Sequence, residues 1–479
     1  MPQPREWPRP RRRSWGLAAR GFGVFGAAAA LLVAGNTAAA QTLTEALAYA
    51  YQNNPQLLAQ RASLRATDEE VPVALSGWRP TVNITSQAGY NRSGLTATNV
   101  PGGNPISTYQ SFASRQVQLQ ASQPIYSGGR TEAATRRAIN TVQAARAQTF
   151  SVETDVFTSV VTAFLDVVRD QNLLEVARNN EQVLRKQLEA TRDRFRVGEV
   201  TRTDVAQAES SLAQAIAQRI TAEGTLETSR SRYTRVVGHP PERLVMPSER
   251  PALPATRDEA LALASTNNFN VISASFTEAA ARDNVDVVRS QLLPQVSIVG
   301  SIGRVVAPSI NQSGATTDTG AVVAQMTVPL YEGGSVYAQT RQAQQTVGQR
   351  RSQVDDARRV AVQNAAGAWE TLQAARASIA SFVTAVRAAQ IALQGTQQEA
   401  LVGSRTVLDV LIAEQQLFTT QSQLVTAQHD AALGEYTLTA AIGRLVAPAL
   451  KLPVELYDME HHYKLVKDKW FGFGGGLKE

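Results

Sequence analysis

Residues 197–209 read VGEVTRTDVAQAE and residues 402–414 read VGSRTVLDVLIAE, two instances of one gapless pattern, V-G-x-x-T-x-x-D-V-x-x-A-E. Each lies between two long segments of helical composition, which makes each the turn of a helical hairpin. A glycine, Gly198 or Gly403, supplies the backbone freedom that stops the incoming helix. A threonine three residues on, Thr201 or Thr406, caps the outgoing helix. The aspartate three beyond it, Asp204 or Asp409, completes a capping-box pair. Two such turns in one chain imply a duplication.

Working outward, helical sequence precedes the first turn from Arg130 to about Arg196. Its apolar seam is thin: Val142, Ala145, Thr149, Val152, Val156, Val160, Ala163 and Val167, joined later by Leu184, Leu188 and Phe195. At 1.5 Å per residue this is one helix, or stacked helices, roughly 100 Å long, suited to a coiled-coil-like wall. The return helix ends at Val237, before Gly238 and Pro240-Pro241. The two hairpins span about residues 130–237 and 335–442.

Each hairpin is preceded by a corner, Pro124-Ile-Tyr-Ser-Gly-Gly129 or Pro329-Leu-Tyr-Glu-Gly-Gly334. Here a strand is expected to end and the helix to begin. Tyr126, Gly128, Gly129, Tyr331, Gly333 and Gly334 are the corner residues. Aromatics there suit a membrane interface, and equally plain packing. Before the corners the period changes to two, predicting strands at about 81–91, 113–123, 295–304 and 320–329. Val82, Ile84, Ala88 and Tyr90 alternate with Thr81, Asn83, Thr85, Gln87 and Asn91; Val117, Leu119 and Ala121 alternate with Gln116, Gln118 and Gln120. One apolar face and one face of amides and hydroxyls is the pattern of a strand between lipid and water, although a strand of a soluble sandwich alternates in the same way.

The start of each unit repeats as well. Thr42 or Thr44 caps an opening helix, Asn53-Asn54-Pro55 breaks it, and a second helix runs to about Ser76 before Pro80. Thr256, Asn267-Asn268 and Pro294 answer these positions. The expected organisation is a signal at 1–40, a first repeat at 41–238, a connector at 239–255, a second repeat at 256–446 and a loosely ordered tail at 447–479. The fold class is mainly α with a small antiparallel β part.

Composition narrows the functions. Residues 1–40 hold six arginines against Glu6, which accounts for most of the net charge of +6. The remainder is near neutral, which removes the charge argument for nucleic-acid binding. The same forty residues read as a secretory signal: a basic region ending near Arg20, an apolar stretch, and Ala38-Ala39-Ala40 before Gln41. An uncleaved membrane anchor is the alternative. There is no cysteine, hence no disulfide, thiolate metal site or lipidated N-terminal cysteine. His239, His429, His461 and His462 have no recognisable metal spacing, and His461-His462 reads as surface. No phosphate loop or nucleophile elbow is present, so neither an enzyme nor a cofactor is expected.

After residue 40 no apolar run is long enough for a membrane-spanning helix. A crossing must therefore use strands closed into a barrel. Four strands cannot close one, because about eight is the practical minimum. Copies of the chain must therefore share a barrel.

The signal, the two strand pairs, the P-x-Y-x-G-G corners and the V-G-x-x-T-x-x-D-V turns together resemble the TolC family of bacterial outer-membrane efflux and secretion channels, over about residues 42–445. The resemblance implies a homotrimer, with a 12-stranded β-barrel in the outer membrane joined to a long α-helical barrel across the periplasm. It implies docking to a periplasmic adaptor (membrane fusion) protein and an inner-membrane pump of the RND or ABC type, and passage of small toxic compounds or polypeptides without chemistry. By matching positions, it makes Arg405 the cation of a closing link to Asp204 and Thr203 of the neighbouring subunit, and Asp409 a ring at the entrance. Val197, Gly198, Val402 and Gly403 become adaptor-docking candidates. Two positions depart from the family pattern: Ile412 where a second acidic ring would fall, and Ala400 where a tyrosine would brace the closed turn. Weaker cation binding and fewer braces are expected. Asp204 and Asp409 also read as simple helix caps. A periplasmic coiled-coil adaptor or a structural envelope protein without a pore is the alternative; neither would carry the two strand pairs.

Overall fold

The computed structural model describes residues 41–97, 106–247, 250–306 and 315–473. The expected signal at 1–40 lies outside the described residues. In chain order the elements are α1 (Leu43–Asn53), α2 (Pro55–Asp68), α3 (Glu70–Leu75), β1 (Thr81–Ala97), β2 (Ile106–Ser127), α4 (Arg130–Arg196) and α5 (Arg202–Val237). Then come α6 (Arg257–Asn267), α7 (Phe269–Arg289), β3 (Gln295–Val306), β4 (Thr316–Thr327), α8 (Ser335–Leu401) and α9 (Val407–Ala441), followed by the short α10 (Ala447–Leu450) and α11 (His461–Val466).

The two halves solve their local problems with the same side chains. Asn54 caps α2 through Oδ1, which accepts from the Gln56 and Leu57 N–H groups at 2.9 and 3.4 Å. Its Nδ2 donates to the Val236 carbonyl at 3.0 Å, at the far end of α5. Asn268 caps α7 through the Asn270 N–H at 3.0 Å and donates to the Ala441 carbonyl at 3.1 Å. One asparagine in each half thus starts a helix and ties it to the end of that half's return helix. Thr42, not Thr44, caps α1, in a capping box with Glu45. The second helix is shorter than expected: it stops at Asp68, and α3 begins beyond Glu69 with Pro72 inside its first turn.

α4 and α8 are single unbroken helices of 67 residues each, about 100 Å long. The middle of α4 is buried over most of its girth, with Asp155 and Ser159 left exposed: Val156, Phe157, Val160, Val161, Phe164, Leu165 and Val168 are covered by α1, α2, α5, α9 and the C-terminal segment. A helix with so wide an apolar stripe sits in the core rather than on its surface. Its seam is therefore thicker here than the three-and-four spacing shows. Phe195, placed in the seam from its spacing, is exposed near the helix end.

The four strands form one antiparallel sheet in the order β1-β2-β3-β4. All four strands reach further than the alternation predicts, β4 at its start, which is Thr316 rather than about 320. β1 and β2 continue into the polar stretch expected to be loop, where Thr96 and Ser107 hydroxyls lie 3.1 Å apart and Arg92 stacks over Tyr109. Short polar residues keep the ladder because cross-strand pairing, not hydrophobicity, holds it. β2 also runs through the first corner to Ser127, with a bulge between Pro124 and Tyr126, because the proline cannot donate to the ladder. β4 stops earlier, at Thr327, so the two corners differ.

The register sorts the residues onto two faces. Val82 pairs with Ala121 and Ile84 with Leu119; Leu119 pairs with Ile302; Ile298 pairs with Ala324 and Val296 with Met326. Directly paired residues share a face, so this face is an apolar band across all four strands. The opposite face carries Asn83, Thr85, Gln87, Gln116, Gln118, Gln120, Ser301, Thr319 and Gln325. β1 and β4 are the two edges of the sheet.

The loosely ordered tail is corrected over its described part. Leu452 and Val466 are buried, the Ala447 N–H donates to Glu153 Oε1 at 2.6 Å, and the Tyr457 N–H donates to the Tyr51 hydroxyl at 3.0 Å. His462 is not a free surface residue: its Nδ1 lies 3.3 Å from the buried Asp68 carboxylate. The segment packs because the first repeat offers it a preformed surface, which its own composition does not announce.

Candidate gate and docking surface at the helical turns

Both turns have the same backbone. After α4, the Gly198 N–H donates to the Phe195 carbonyl at 3.0 Å and the Glu199 N–H to the Arg194 carbonyl at 2.9 Å. After α8, the Gly403 N–H reaches Ala400 at 3.3 Å and the Ser404 N–H reaches Glu399 at 3.0 Å. This nested pair of bonds is a Schellman stop, which needs a left-handed residue at its centre. Gly198 and Gly403 supply it at φ +83° and +80°.

The next helices start in matched capping boxes. Asp204 Oδ2 accepts from the Thr201 N–H and hydroxyl at 2.8 and 2.7 Å. Asp409 Oδ2 accepts from the same groups of Thr406 at 2.9 and 2.8 Å. These bonds, with Arg405 nearby, hold the Asp409 carboxyl below the usual aspartate range. Within one copy, then, both aspartates are engaged as caps. Thr203 is exposed on the first turn of α5.

The two turns differ in charge. Arg194 Nε pairs with Glu199 at 3.1 Å in the first. In the second the order is reversed: Arg405 Nε pairs with Glu399 of its own chain at 2.8 Å. Glu399 is a residue the sequence reading did not single out; it lies outside the repeated pattern, and no spacing rule marks it. The structure does not bring Arg405 to Asp204 or Thr203 within one copy.

Below the turns, Val407 and Leu411 of α9 pack with Leu184, Leu188, Ala208 and Ala215 of the first hairpin, so the hairpins stand side by side. Ala400 is buried with Leu393 and Val410. The Ala400 side chain is thus packed inside the second hairpin against a leucine and a valine. Ile412 is exposed. Glu414, the last residue of the repeated pattern, is buried and accepts from Gln397 Nε2 at 3.1 Å. Burial pushes its carboxyl up. Its counterpart Glu209 is exposed and pairs with Arg192 at 2.6 Å. At the tips, Val197, Leu401 and Val402 are 72%, 71% and 80% exposed, an apolar surface around the two glycines.

At the other end of the hairpins, Gly128, Gly129, Gly333 and Gly334 all have positive φ, between +62° and +78°. Gly128 has a second constraint: a Cβ there would lie 2.6 Å from the Ser290 carbonyl oxygen and 2.8 Å from Leu293 Cβ. Tyr126 and Tyr331 are both exposed at the base of the sheet.

A four-stranded sheet with one apolar and one polar face, set on two long helical hairpins, defines a protomer of an outer-membrane channel. Residues 46–239 and 260–444 match the family "outer membrane efflux protein". The chain belongs to that family, the TolC-type efflux and secretion channels. It is 36% identical over 452 residues to the outer membrane efflux protein BepC of Brucella suis, covering 93% of this chain and 96% of that one. To the outer membrane protein TolC of Vibrio cholerae it is 27% identical over 413 residues, 85% and 91% of the two chains. Among solved structures, the outer membrane protein VceC of Vibrio cholerae shares the fold, with a TM-score of 0.70 at 22% identity over 84% of this chain and 96% of that one. The family consists of channel proteins, not enzymes.

Proposed function

We propose that three copies of this chain form one continuous exit duct, with a 12-stranded barrel in the outer membrane and a helical barrel reaching into the periplasm, and that an N-terminal signal exports the chain there. The carrying observation is the sheet. Its two faces are sorted for lipid and water, yet its β1 and β4 edges are left open, and lipid tolerates no open edge. Three copies supply twelve strands. The helical part supports the same reading, since α8 leaves Tyr337, Val360, Val383 and Ile391 exposed in a single copy, apolar surface for a neighbouring hairpin.

The duct closes where the turns converge. Arg405 exchanges Glu399 for Asp204 and Thr203 of the partner subunit, and Asp409 lines the entrance. Exposed pairs of this kind contribute about 0–1 kcal/mol each, so three of them bias a gate without locking it. Val197, Gly198, Val402 and Gly403 dock a periplasmic adaptor, which brings an inner-membrane pump of the RND or ABC type. The cargo is a small toxic compound or a polypeptide. Fractionation tests this reading: a heat-modifiable trimer in the outer-membrane fraction supports the channel, and a soluble periplasmic protein supports an adaptor.

A further inference from the structure

We propose that residues 470–473, at the end of the C-terminal segment, form an interfacial anchor that enters the phospholipid headgroup layer on the periplasmic side of the outer membrane. The proposal rests on the reading of the strands as membrane-spanning.

The segment climbs alongside α2 and α3 towards the sheet, and each step is fixed by a named contact. Arg61 lies between the rings of Tyr51 and Tyr457, at 4.4 and 5.0 Å. Further on, Glu460 pairs with Arg146 at 3.5 Å and His462 with Asp68 at 3.3 Å. Val466 is buried. Arg79 then donates through Nη1 to the Lys469 carbonyl at 2.6 Å, and its guanidinium lies 5.0 Å from the Trp470 ring centroid. Residue 78 is tied to the sheet, because its carbonyl accepts from Gln123 of β2 at 2.8 Å.

Arg79 stands two residues before Thr81, where β1 begins, a separation of at most about 7 Å along the chain. The headgroup layer on each side of the hydrocarbon core is about 5–7 Å thick. The Arg79 backbone therefore lies at headgroup depth once the strands span the bilayer, and Trp470, against its guanidinium, lies within about one side-chain length of that level.

What it presents there is apolar and aromatic. Trp470 is 63% exposed and Phe471 87%, and Phe473 is fully exposed, with Trp78 exposed nearby. The buried residues earlier in the segment show that it packs where apolar cover is available; these rings are turned out instead. Arg79, Lys464, Lys467 and Lys469 give the approach a basic character, against Glu460, which pairs with Lys464 at 2.8 Å, and Asp468, 3.9 Å from Lys467. Aromatic rings at headgroup depth beside cationic side chains match the interfacial belt of membrane proteins and the phosphates of phospholipids. Arg79, which holds Trp470, lies two residues before β1, whose Val82 and Ile84 open the apolar face of the sheet, so lipid is the partner that covers both.

The chain has no cysteine, which permits single-site labelling of the full-length trimer. Phe471→Cys, Ile84→Cys on the apolar strand face and Glu227→Cys on α5 would each carry an environment-sensitive fluorophore, in liposomes of phosphatidylcholine and phosphatidylglycerol with or without brominated acyl chains. The label at 471 should be blue-shifted and lose about half or more of its emission in brominated lipid, like the label at 84, while the label at 227 stays water-like. Quenching at 84 without quenching at 471 overturns the anchor and leaves the channel reading intact. A blue shift at 471 that brominated lipid does not quench overturns it in favour of a protein contact. No quenching at 84 overturns the membrane reading and the anchor with it. Should Phe471→Cys fail to assemble, quenching of Trp470 itself, in a chain with Trp7, Trp15, Trp78 and Trp369 all replaced by Phe, makes the same decision.

Discussion

Replacing Glu153 by glutamine should make the helical part of the protein more stable at alkaline pH and leave it unchanged at acid pH. Glu153 is buried in α4, its Oε1 accepting from the Ala447 N–H at 2.6 Å. Burial raises its carboxyl to about 7 from 4.5, against the opposing effects of the Ala447 N–H and Arg61. Between those two values the folded chain keeps a proton that the unfolded chain has released. Stability is therefore full below the unfolded value and falls as the pH rises towards the folded one. At about 1.4 kcal/mol for each pH unit, the loss reaches about 3 kcal/mol per protomer above neutrality. Glutamine keeps the acceptor and has no proton to lose. Denaturant unfolding followed by far-ultraviolet circular dichroism should give nearly equal midpoints for the two proteins at about pH 5, and a variant more stable by about 3 kcal/mol per protomer at about pH 8. Equal midpoints at both pH values would refute the reasoning, because the carboxyl would then titrate normally.

Four further outcomes are expected. Arg405→Ala should raise single-channel conductance in planar bilayers by removing the closing cation, and an unchanged conductance would remove the proposed link. Glu399→Gln should do the reverse, lowering the open fraction, since it frees Arg405 from its own chain. Gly333→Ala should cost about 1–2 kcal/mol from its left-handed backbone alone, whereas Gly128→Ala should cost clearly more, because its Cβ also meets the Ser290 carbonyl; the thermal midpoints of the two variants compare them. His429 is buried on α9, with Nε2 3.1 Å from Asp166 of α4 and Nδ1 2.9 Å from Asp430. Burial lowers its pKa, but the attraction of the two aspartates outweighs that and raises it overall. This link between the halves stabilises fully below the ordinary histidine value and is lost as the pH rises through the raised one. In His429→Gln, that part of the pH dependence of unfolding should disappear.

What the sequence disclosed was local. A Schellman glycine, a capping threonine and its aspartate act over three to six residues, so both turns were legible from spacing alone. Strand alternation is likewise local, and it marked Val82, Ile84, Val117 and Leu119 before any register was available. The extensions of β1 and β2 were hidden because Ser, Thr and Asn serve loops and ladders equally well. The partners that close the structure were also hidden. Glu153 meets Ala447, His429 meets Asp166, and His462 meets Asp68, each across hundreds of residues, and no periodicity carries such a pairing. At the turns, spacing marks Asp204 and Asp409 as cap residues, but it singles out neither Glu399 nor the buried Glu414. The first lies outside the repeated pattern, and the second differs from Glu209 only in what packs over it.

The central claim is that the open edges of this sheet are closed by other copies of the same chain. Thr85 on β1 and Val323 on β4 lie on the same face, each four residues from the base of its strand. In an otherwise cysteine-free chain, Thr85→Cys with Val323→Cys, bridged in intact cells by a short thiol cross-linker, should yield a covalent species of three chains on a denaturing gel, and neither single variant should go beyond a dimer. A double variant that stays monomeric, or that forms open-ended ladders, would contradict the shared barrel.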